Sequence, residues 1–510
     1  MKDFKVLKKS YYDSVTLMSI TIAIKKALNL KDLVMFMGTD MNKDMMDSVG
    51  LYDPIFDDAT PNDLLLGVEM EEENNDWAEQ VLEQLNNKNK KQESTHAVYK
   101  TIAQAKEAKD SNIAIISVPG IYAANEAYKA LENDMHVMLF SDNVSVEDEI
   151  ALKDLGLKKD LLVMGPDCGT AIINGKGLCF ANQVSKGHIG LVAASGTGLQ
   201  EVTVIIDRFG GGISQAIGVG GRDLSEAVGG KMMLKSIDAL NQDDETELIV
   251  LISKPPHKTV LDKIFNKLNT VKKPVVVCLL DTTMDHKIDN VYFVSTLTDA
   301  GKKALELVGK KTPSLTELDE VLKARIKKEQ QLKKPTQTKV KGLFCGGTLA
   351  AEALSILRDG VDDLTSNVAK NPKEKMKDPM KSQGNNIVDL GDDMFTQGKP
   401  HPMIEPAIRL DRILLEAKNP ETSVILLDFE LGLGSHADPV GVTIDTIVKA
   451  QQLAEKDGRH ISFVGYVCGT DKDFQGLESS EKQLRDQGVI VAKTNAHAAC
   501  IASSIIGGAK

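Results

Sequence analysis

A chain of 510 residues with a net charge of -12 has room for about three or four domains, and no basic stripe interleaved with aromatics marks it for general nucleic-acid binding. Its six cysteines are scattered without CxxC pairs, which argues against a zinc ribbon or disulfide framework and fits a reducing cytosol. No apolar run approaches the roughly 18 residues of a membrane span, and MKDFKVLKKSYYDS has no apolar signal core, so a cytoplasmic protein without a membrane partner is expected.

Residues 1–94 read as an N-terminal α/β unit: an amphipathic helix over 17–30, a strand over 33–37 and another over 63–68. The polar run QLNNKNKKQES at 84–94 is expected to be a solvated linker. Across 95–186 strand and helix alternate, with strands at 113–118, 137–140 and 161–164, each ending in turn chemistry. Strands that end in small or polar residues before a helix indicate a parallel sheet that meets ligands at its carboxyl ends.

The chain is organised around GLVAASGTGLQEVTVIIDRF. Here a buried strand (189–194) runs into the loop Ser195-Gly196-Thr197-Gly198 and then a helix with apolar residues at Leu199, Val202, Ile206 and Phe209. Free N–H groups at such a helix start, together with the helix dipole, suit a phosphate or carboxylate. The pattern recurs at KGLFCGGTLAAEALSIL, where Gly346-Gly347-Thr348 opens the second helix. Glu201 and Glu352 each follow the threonine by four residues, and the later strands also correspond: 248–253 with 424–429, 274–281 with 461–468, and 291–295 with 489–492. Two α/β units therefore lie in tandem, over 187–310 and 340–510, with 311–339 a charged, partly helical connector. Within the second unit, 362–384 reads as an inserted, mobile surface loop. The expected fold class is α/β, with tandem doubly wound, Rossmann-like or flavodoxin-like parallel sheets.

Several stretches together resemble the FdrA family over nearly the whole chain: SDNV at 141–144, VMGPDCGT at 163–170, ASGTG at 194–198, GGRD at 220–223, SKPP at 253–256, GGTLAAE at 346–352, DLGDD at 389–393, GKPHPM at 398–403 and ADP at 437–439. More distantly, residues 95–310 resemble the α-subunit of succinyl-CoA synthetase, with 95–186 as its CoA-binding-like Rossmann domain and 187–310 as its ligase domain. Residues 340–510 resemble the carboxyl-terminal domain of the β-subunit. Two parts of those ligases have no counterpart here. The glycine-flanked phosphohistidine loop is replaced by CLLDTTMDHKIDNVYF, and no ATP-grasp region precedes the second unit.

The resemblance implies an FdrA-type subunit of a multi-subunit carbamoyltransferase, acting on carbamoyl phosphate and oxamate in allantoin nitrogen catabolism, with further protein subunits and self-assembly. The alternatives are an acyl-CoA synthetase of the succinate–CoA ligase kind, which would bind CoA or nucleotide, and a non-catalytic scaffold. Ser195, Gly196, Thr197, Gly198, Gly346, Gly347 and Thr348 are the candidate anion cradle. Arg222 either clamps a substrate carboxylate or pairs with Asp223. Lys254 is either an anion ligand or a solvated lysine. Glu201 and Glu352 either position a reacting group or favour the helix dipole. His401 either serves in acid–base or oxyanion chemistry or caps its proline-rich loop. His286 is a polar-turn histidine or a phosphorylation site, and the DLGDD carboxylates and Asp438 are turn residues or Mg²⁺ ligands. No metal is assigned. Cys168 reads as a buried structural thiol.

Overall fold

The computed structural model describes residues 2–10, 30–70, 76–91, 98–282, 287–396 and 399–507, with isolated positions between 12 and 28. They fall into two units, Met1–Lys100 and Thr101–Lys510.

In the first unit, strands β1 (Lys2–Leu7), β2 (Asp32–Met37) and β3 (Leu64–Glu69) form an antiparallel sheet with β3 in the centre. Helix α1 (Asp40–Ser48) is capped by Thr39, and helix α2 spans Trp77–Lys91. The expected linker at 84–94 is thus helical as far as Lys91. Trp77, Val81 and Leu85 continue one buried face at i+4 spacing, so apolar packing carries the helix into the polar run. Most of the helix expected at 17–30 lies outside the described residues.

The second unit opens with α3 (Ile102–Lys109) and a parallel three-stranded sheet, β4 (Ile113–Ile116), β5 (His136–Leu139) and β6 (Val163–Met164), with α4 (Gly120–Glu132) and α5 (Val146–Lys158) between its strands. A hairpin follows, β7 (Thr170–Ile173) and β8 (Lys176–Cys179). The first repeat then runs β9 (Lys186–Ala193), α6 (Gly196–Arg208), β10 (Ile213–Gly218), α7 (Lys231–Gln242), β11 (Leu248–Ser253), α8 (Lys258–Leu268), β12 (Val275–Leu279), β13 (Val291–Val294) and α9 (Leu297–Leu307). Its sheet has the order β13-β12-β11-β9-β10-β7-β8. The hairpin therefore belongs to this sheet, pairing antiparallel with β10 through Ala216 and Ile172, although the sequence reading places it in the preceding domain.

Helix α10 (Glu320–Leu332) leads to the second repeat. This comprises β14 (Lys339–Phe344), α11 (Gly347–Leu357), β15 (Leu364–Ser366), β16 (Asn385–Asp389), the short α12 (Asp393–Thr396), α13 (Ala407–Lys418), β17 (Thr422–Glu430), α14 (Gly441–Lys456), β18 (Ser462–Cys468), α15 (Leu477–Asp486), β19 (Ile490–Ala492) and α16 (Asn495–Ile506). Its all-parallel sheet has the order β15-β16-β14-β17-β18-β19. The connector is packed rather than loose: Ile326 on α10 joins the main core, and Glu329 bonds Ser462 at 2.8 Å.

LIVLIS is apolar almost throughout, and TSVILLDFE is buried along its whole length, because both faces of these strands are covered, the usual state of a parallel sheet. One core cluster draws on both large sheets and on helices of both repeats, including Leu199, Ala300, Leu349 and Ala498. The winding direction reverses beside β9 in one sheet and beside β14 in the other, and both glycine loops follow these strands. Such switch points open a crevice at the carboxyl ends of the strands. The insertion at 362–384 is anchored rather than loose. Met376 is buried, the Met376 amide bonds Ser366 at 3.1 Å, and Arg358 forks onto Glu374.

Candidate active site

Each glycine loop is held by a different device. After β9, Ser195 caps α6, its Oγ accepting the Gly198 N–H at 3.0 Å. After β14, Asp428 on β17 takes the N–H groups of Cys345 (2.9 Å) and Gly346 (2.9 Å), and Arg409 in turn pairs with Asp428. No side chain caps α11, whose N-cap is Gly346.

The two helix starts then meet. Ser195 Oγ and Thr348 Oγ1 lie 2.5 Å apart. Glycine is needed on both sides of this contact: a Cβ on Gly346 would sit 2.9 Å from Thr197 Cγ2, and one on Gly198 only 3.1 Å from Thr348 Cγ2. Both starts border one cleft of ≈ 1090 Å³. Of the residues expected from sequence, Ser195, Gly196, Thr197, Gly347, Thr348, Arg222, Lys254 and His401 line it. Gly198 and Gly346 support the loops from behind.

Glu201 and Glu352 are not among the lining residues, which corrects their assignment as catalytic. One turn beyond the threonines they are buried between the repeats, where each bonds the first turn of the other repeat's last helix. Glu352 accepts the Leu297 N–H of α9 at 2.7 Å, and Glu201 accepts the Asn495 N–H of α16 at 3.2 Å. Burial, followed by the nearby Glu201, pushes the Glu352 carboxyl up to about 8, and burial also raises Glu201.

Arg222 does not pair with Asp223. Its Nε lies 3.0 Å from Glu149, and its Nη2 donates to the Val144 carbonyl at 2.8 Å. Among the described residues its Nη1 has no partner, and Arg222 lines the cleft. Asp223 instead binds Lys153 at 2.8 Å and receives the Met232 and Met233 amides at the start of α7.

Lys254 follows β11 and makes no ion pair among the described residues; a Cβ on Gly347 would lie 3.5 Å from its ammonium. Lys370, carried in by the insertion, donates to the Pro255 carbonyl at 2.7 Å and lines the same side. Burial and then Lys254 lower its pKa, and at Gly347 the Asp389 carboxylate stands beside the Lys254 ammonium.

His401 packs against Phe180, with ring centroids 5.7 Å apart. Burial lowers its pKa to about 4. Its Nδ1 accepts the Met403 N–H at 3.2 Å, so the neutral ring carries its proton on Nε2. That makes it a hydrogen-bond donor rather than a general base at neutral pH. His286 lies outside the described residues. Cys168, pushed up to about 12 by burial, is an inert thiol.

Sequence reasoning missed Asp428 as the anchor of the second loop; its signal was a carboxylate inside the apolar run VILLDFE. It considered Asp389 only as a turn residue or a Mg²⁺ ligand. This residue lines the cleft with Oδ1 accepting the Gly391 N–H at 2.9 Å, and burial pushes its carboxyl up to about 7. Asp167, raised to about 6 by burial and then by Asp393 and Asp142, lies on the cleft wall with Arg222. Another Mg²⁺ candidate, Asp438, accepts the Gly441 N–H at 2.8 Å at the start of α14. Among the described residues, the one group of three that could share an ion is Cys345, Asp428 and Glu430. It fits a cation poorly, because Asp428 already holds two amides and burial keeps the Cys345 thiol protonated.

Comparison with known proteins follows the same division of the chain. Residues 343–505 match a family described as CoA-ligase, and residues 184–279 match one described as CoA binding domain. The latter falls on the first repeat, whereas the sequence reading places the CoA-binding-like unit at 95–186. The uncharacterized protein YahF of Escherichia coli is 45% identical over 504 residues, covering 98% of this chain and 97% of YahF. The chain belongs to the YahF family.

Beyond the YahF family, the α-subunit of the ADP-forming succinate–CoA ligase of Aquifex aeolicus is 30% identical over 161 residues, 30% of this chain and 52% of that subunit. The corresponding Staphylococcus epidermidis subunit is 28% identical over 159 residues, 30% of this chain and 51% of that subunit. Among solved structures, the dinucleotide-forming acetyl-coenzyme A synthetase 1 of Ca. Korarchaeum cryptofilum aligns over 81% of this chain and 85% of its own, at 14% identity and a TM-score of 0.32. Residues 1–104 match a family described as AllF, heavy metal-associated domain. These residues contain no cysteine and a single histidine, His96, which lies outside the described residues. They do not fit thiolate ligation of a soft metal. Among the described residues no helix is long and apolar enough to cross a membrane.

Proposed function

We propose that this chain is a CoA-ligase-like enzyme that holds an acyl phosphate across the starts of α6 and α11 and passes the acyl group to a nucleophile, CoA being the acceptor. One observation carries the reading: the Ser195–Thr348 contact brings two helix N-termini to one cleft. Their N–H groups and dipoles stabilise a phosphate and the charge that grows on it as it leaves. Lys254 adds a point charge beside Gly347, the open end of Arg222 suits a carboxylate, and His401 offers an N–H without changing charge near neutrality. The matches to CoA-ligase and CoA binding domain families support a thiol acceptor, with CoA and nucleotide as ligands.

A second reading is carbamoyl transfer from carbamoyl phosphate to oxamate by an FdrA-type subunit working with further protein subunits. What favours it is the state of the two histidines that line the cleft among the described residues. His401 has Nδ1 bound to the Met403 amide, and His257 caps α8, with Nδ1 facing Thr259 and Nε2 3.8 Å from Glu226. Neither is presented as a free phosphate carrier, and carbamoyl transfer needs none.

Calorimetric titration with inorganic phosphate, followed by product assays with acyl phosphate and CoA, tests both. The ligase reading expects acyl-CoA from the purified chain. The carbamoyl reading expects turnover of carbamoyl phosphate and oxamate only after partner subunits are added. Absence of phosphate binding would remove both.

A further inference from the structure

We infer that Asp389 completes the anion site at the start of α11 as a carboxylic acid, so that an oxyanion lacking a proton of its own binds there only together with one. The inference rests on the acyl phosphate reading above and adds a proton to its bound state.

Asp389 ends β16 and is only 7% exposed, yet it lines the cleft. Two residues fix its position. Asn367, just past β15, accepts the Asp389 N–H at 2.9 Å and donates Nδ2 to the Asp389 carbonyl at 2.9 Å. Gly391 donates its N–H to Oδ1 at 2.9 Å. That leaves Oδ2, which accepts no hydrogen bond among the described residues and is not walled in as the unpaired oxygens of Thr170 and Gln200 are. Oδ2 stands over the first residue of α11, where a Cβ on Gly347 would collide with it. Glycine at 347 thus admits the carboxyl group to the helix start, as glycine at 346 admits Thr197.

An anion seated on the N–H groups of that helix start meets Oδ2 as its neighbour. Two unprotonated oxyanions in such contact repel, so the pair keeps one proton between them. The groups facing Asp389 set how readily it supplies that proton. Lys254, at the end of β11, favours the carboxylate; Asp392 in the next turn and Asp428 on β17 oppose it, and His401, against Gly391, is neutral. Burial is the largest influence, and the carboxyl is pushed up to about 7. Monohydrogen phosphate brings the required proton itself. A fully ionised acyl phosphate and sulfate bring none, and depend on the acid form of Asp389.

Sulfate, which does not titrate near neutrality, is the probe, with inorganic phosphate as reference, both by calorimetry on the full chain. Sulfate affinity is expected to be level below about pH 6 and to fall by nearly tenfold per pH unit above about 7, as the acid form of Asp389 is lost. Compared in buffers of different ionisation enthalpy, sulfate binding at pH 8.5 should take up about one proton. Phosphate at that pH should bind at least ~10-fold more tightly than sulfate. Asp389→Asn keeps a donor without a titrating charge. With Oδ1 held by Gly391, its NH₂ replaces the acid O–H over Gly347, and sulfate should bind at pH 8.5 within about threefold of its affinity at pH 6. Sulfate affinity that is level with pH in the unaltered protein, or sulfate that fails to bind at pH 6, overturns the inference alone when phosphate still binds. A pH dependence that survives Asp389→Asn overturns its assignment to this residue. If neither anion binds at any pH, the inference falls together with the reading beneath it. Should the variant not fold, the pH profile and proton uptake of the unaltered protein decide.

Discussion

Ser195 and Thr348, 153 residues apart in the chain, join hydroxyls where the two repeats meet. The contact closes a pseudo-symmetric arrangement whose deeper layer is the reciprocal pair Glu201–Asn495 and Glu352–Leu297. The same two helices, α6 and α11, thus present their first turns to the cleft and their second turns to each other's repeat.

Thr348→Val keeps the shape of the side chain and removes its hydroxyl. Phosphate affinity should fall by about tenfold, the worth of a hydrogen bond to a charged group, with little change in stability. Calorimetric titration with inorganic phosphate checks this, and unchanged affinity would place the anion elsewhere.

The Glu352 carboxyl has an ordinary value of 4.5 and is pushed up to about 8 in the folded chain. With the folded value above the unfolded one, the stabilisation is complete below about 4.5 and is lost as pH rises through about 8. The slope in that window approaches ~1.4 kcal/mol per pH unit for this group. Glu352→Gln should flatten the fall in urea midpoint between pH 5 and 8; a variant that tracks the parent curve would show that another group sets the dependence.

Asp428→Ala removes the acceptor for two loop amides and leaves Arg409 buried beside no carboxylate oxygen of that residue. A loss of about 3–5 kcal/mol is expected. Asp428→Asn, which retains one acceptor, should lose less. Chemical denaturation measures both, and a neutral Ala variant would contradict the anchoring role.

His401, lowered to about 4, favours the folded state above the ordinary imidazole value of 6.5 and withdraws that contribution as pH falls through about 4. Nitrogen NMR should find a neutral ring protonated on Nε2 from pH 6 to 9. A titration midpoint near 6.5 would restore it as an acid–base candidate.

The sequence by itself determined the alternation of strand and helix, the tandem duplication and the two glycine-rich helix starts. Those features depend on short-range rules: apolar runs that must be covered, turn residues that allow sharp bends, and caps placed within a few positions of the helix they start. Tertiary structure alone decided that Glu201 and Glu352 face the opposite repeat rather than the cleft, because residues at the same helical spacing serve either purpose until the two sheets are packed together. It also decided that the β7–β8 hairpin extends the first large sheet and that Asp428 anchors a loop from a strand 83 residues away. Each is a contact between residues far apart in the chain, and burial of charged and polar groups made those contacts obligatory.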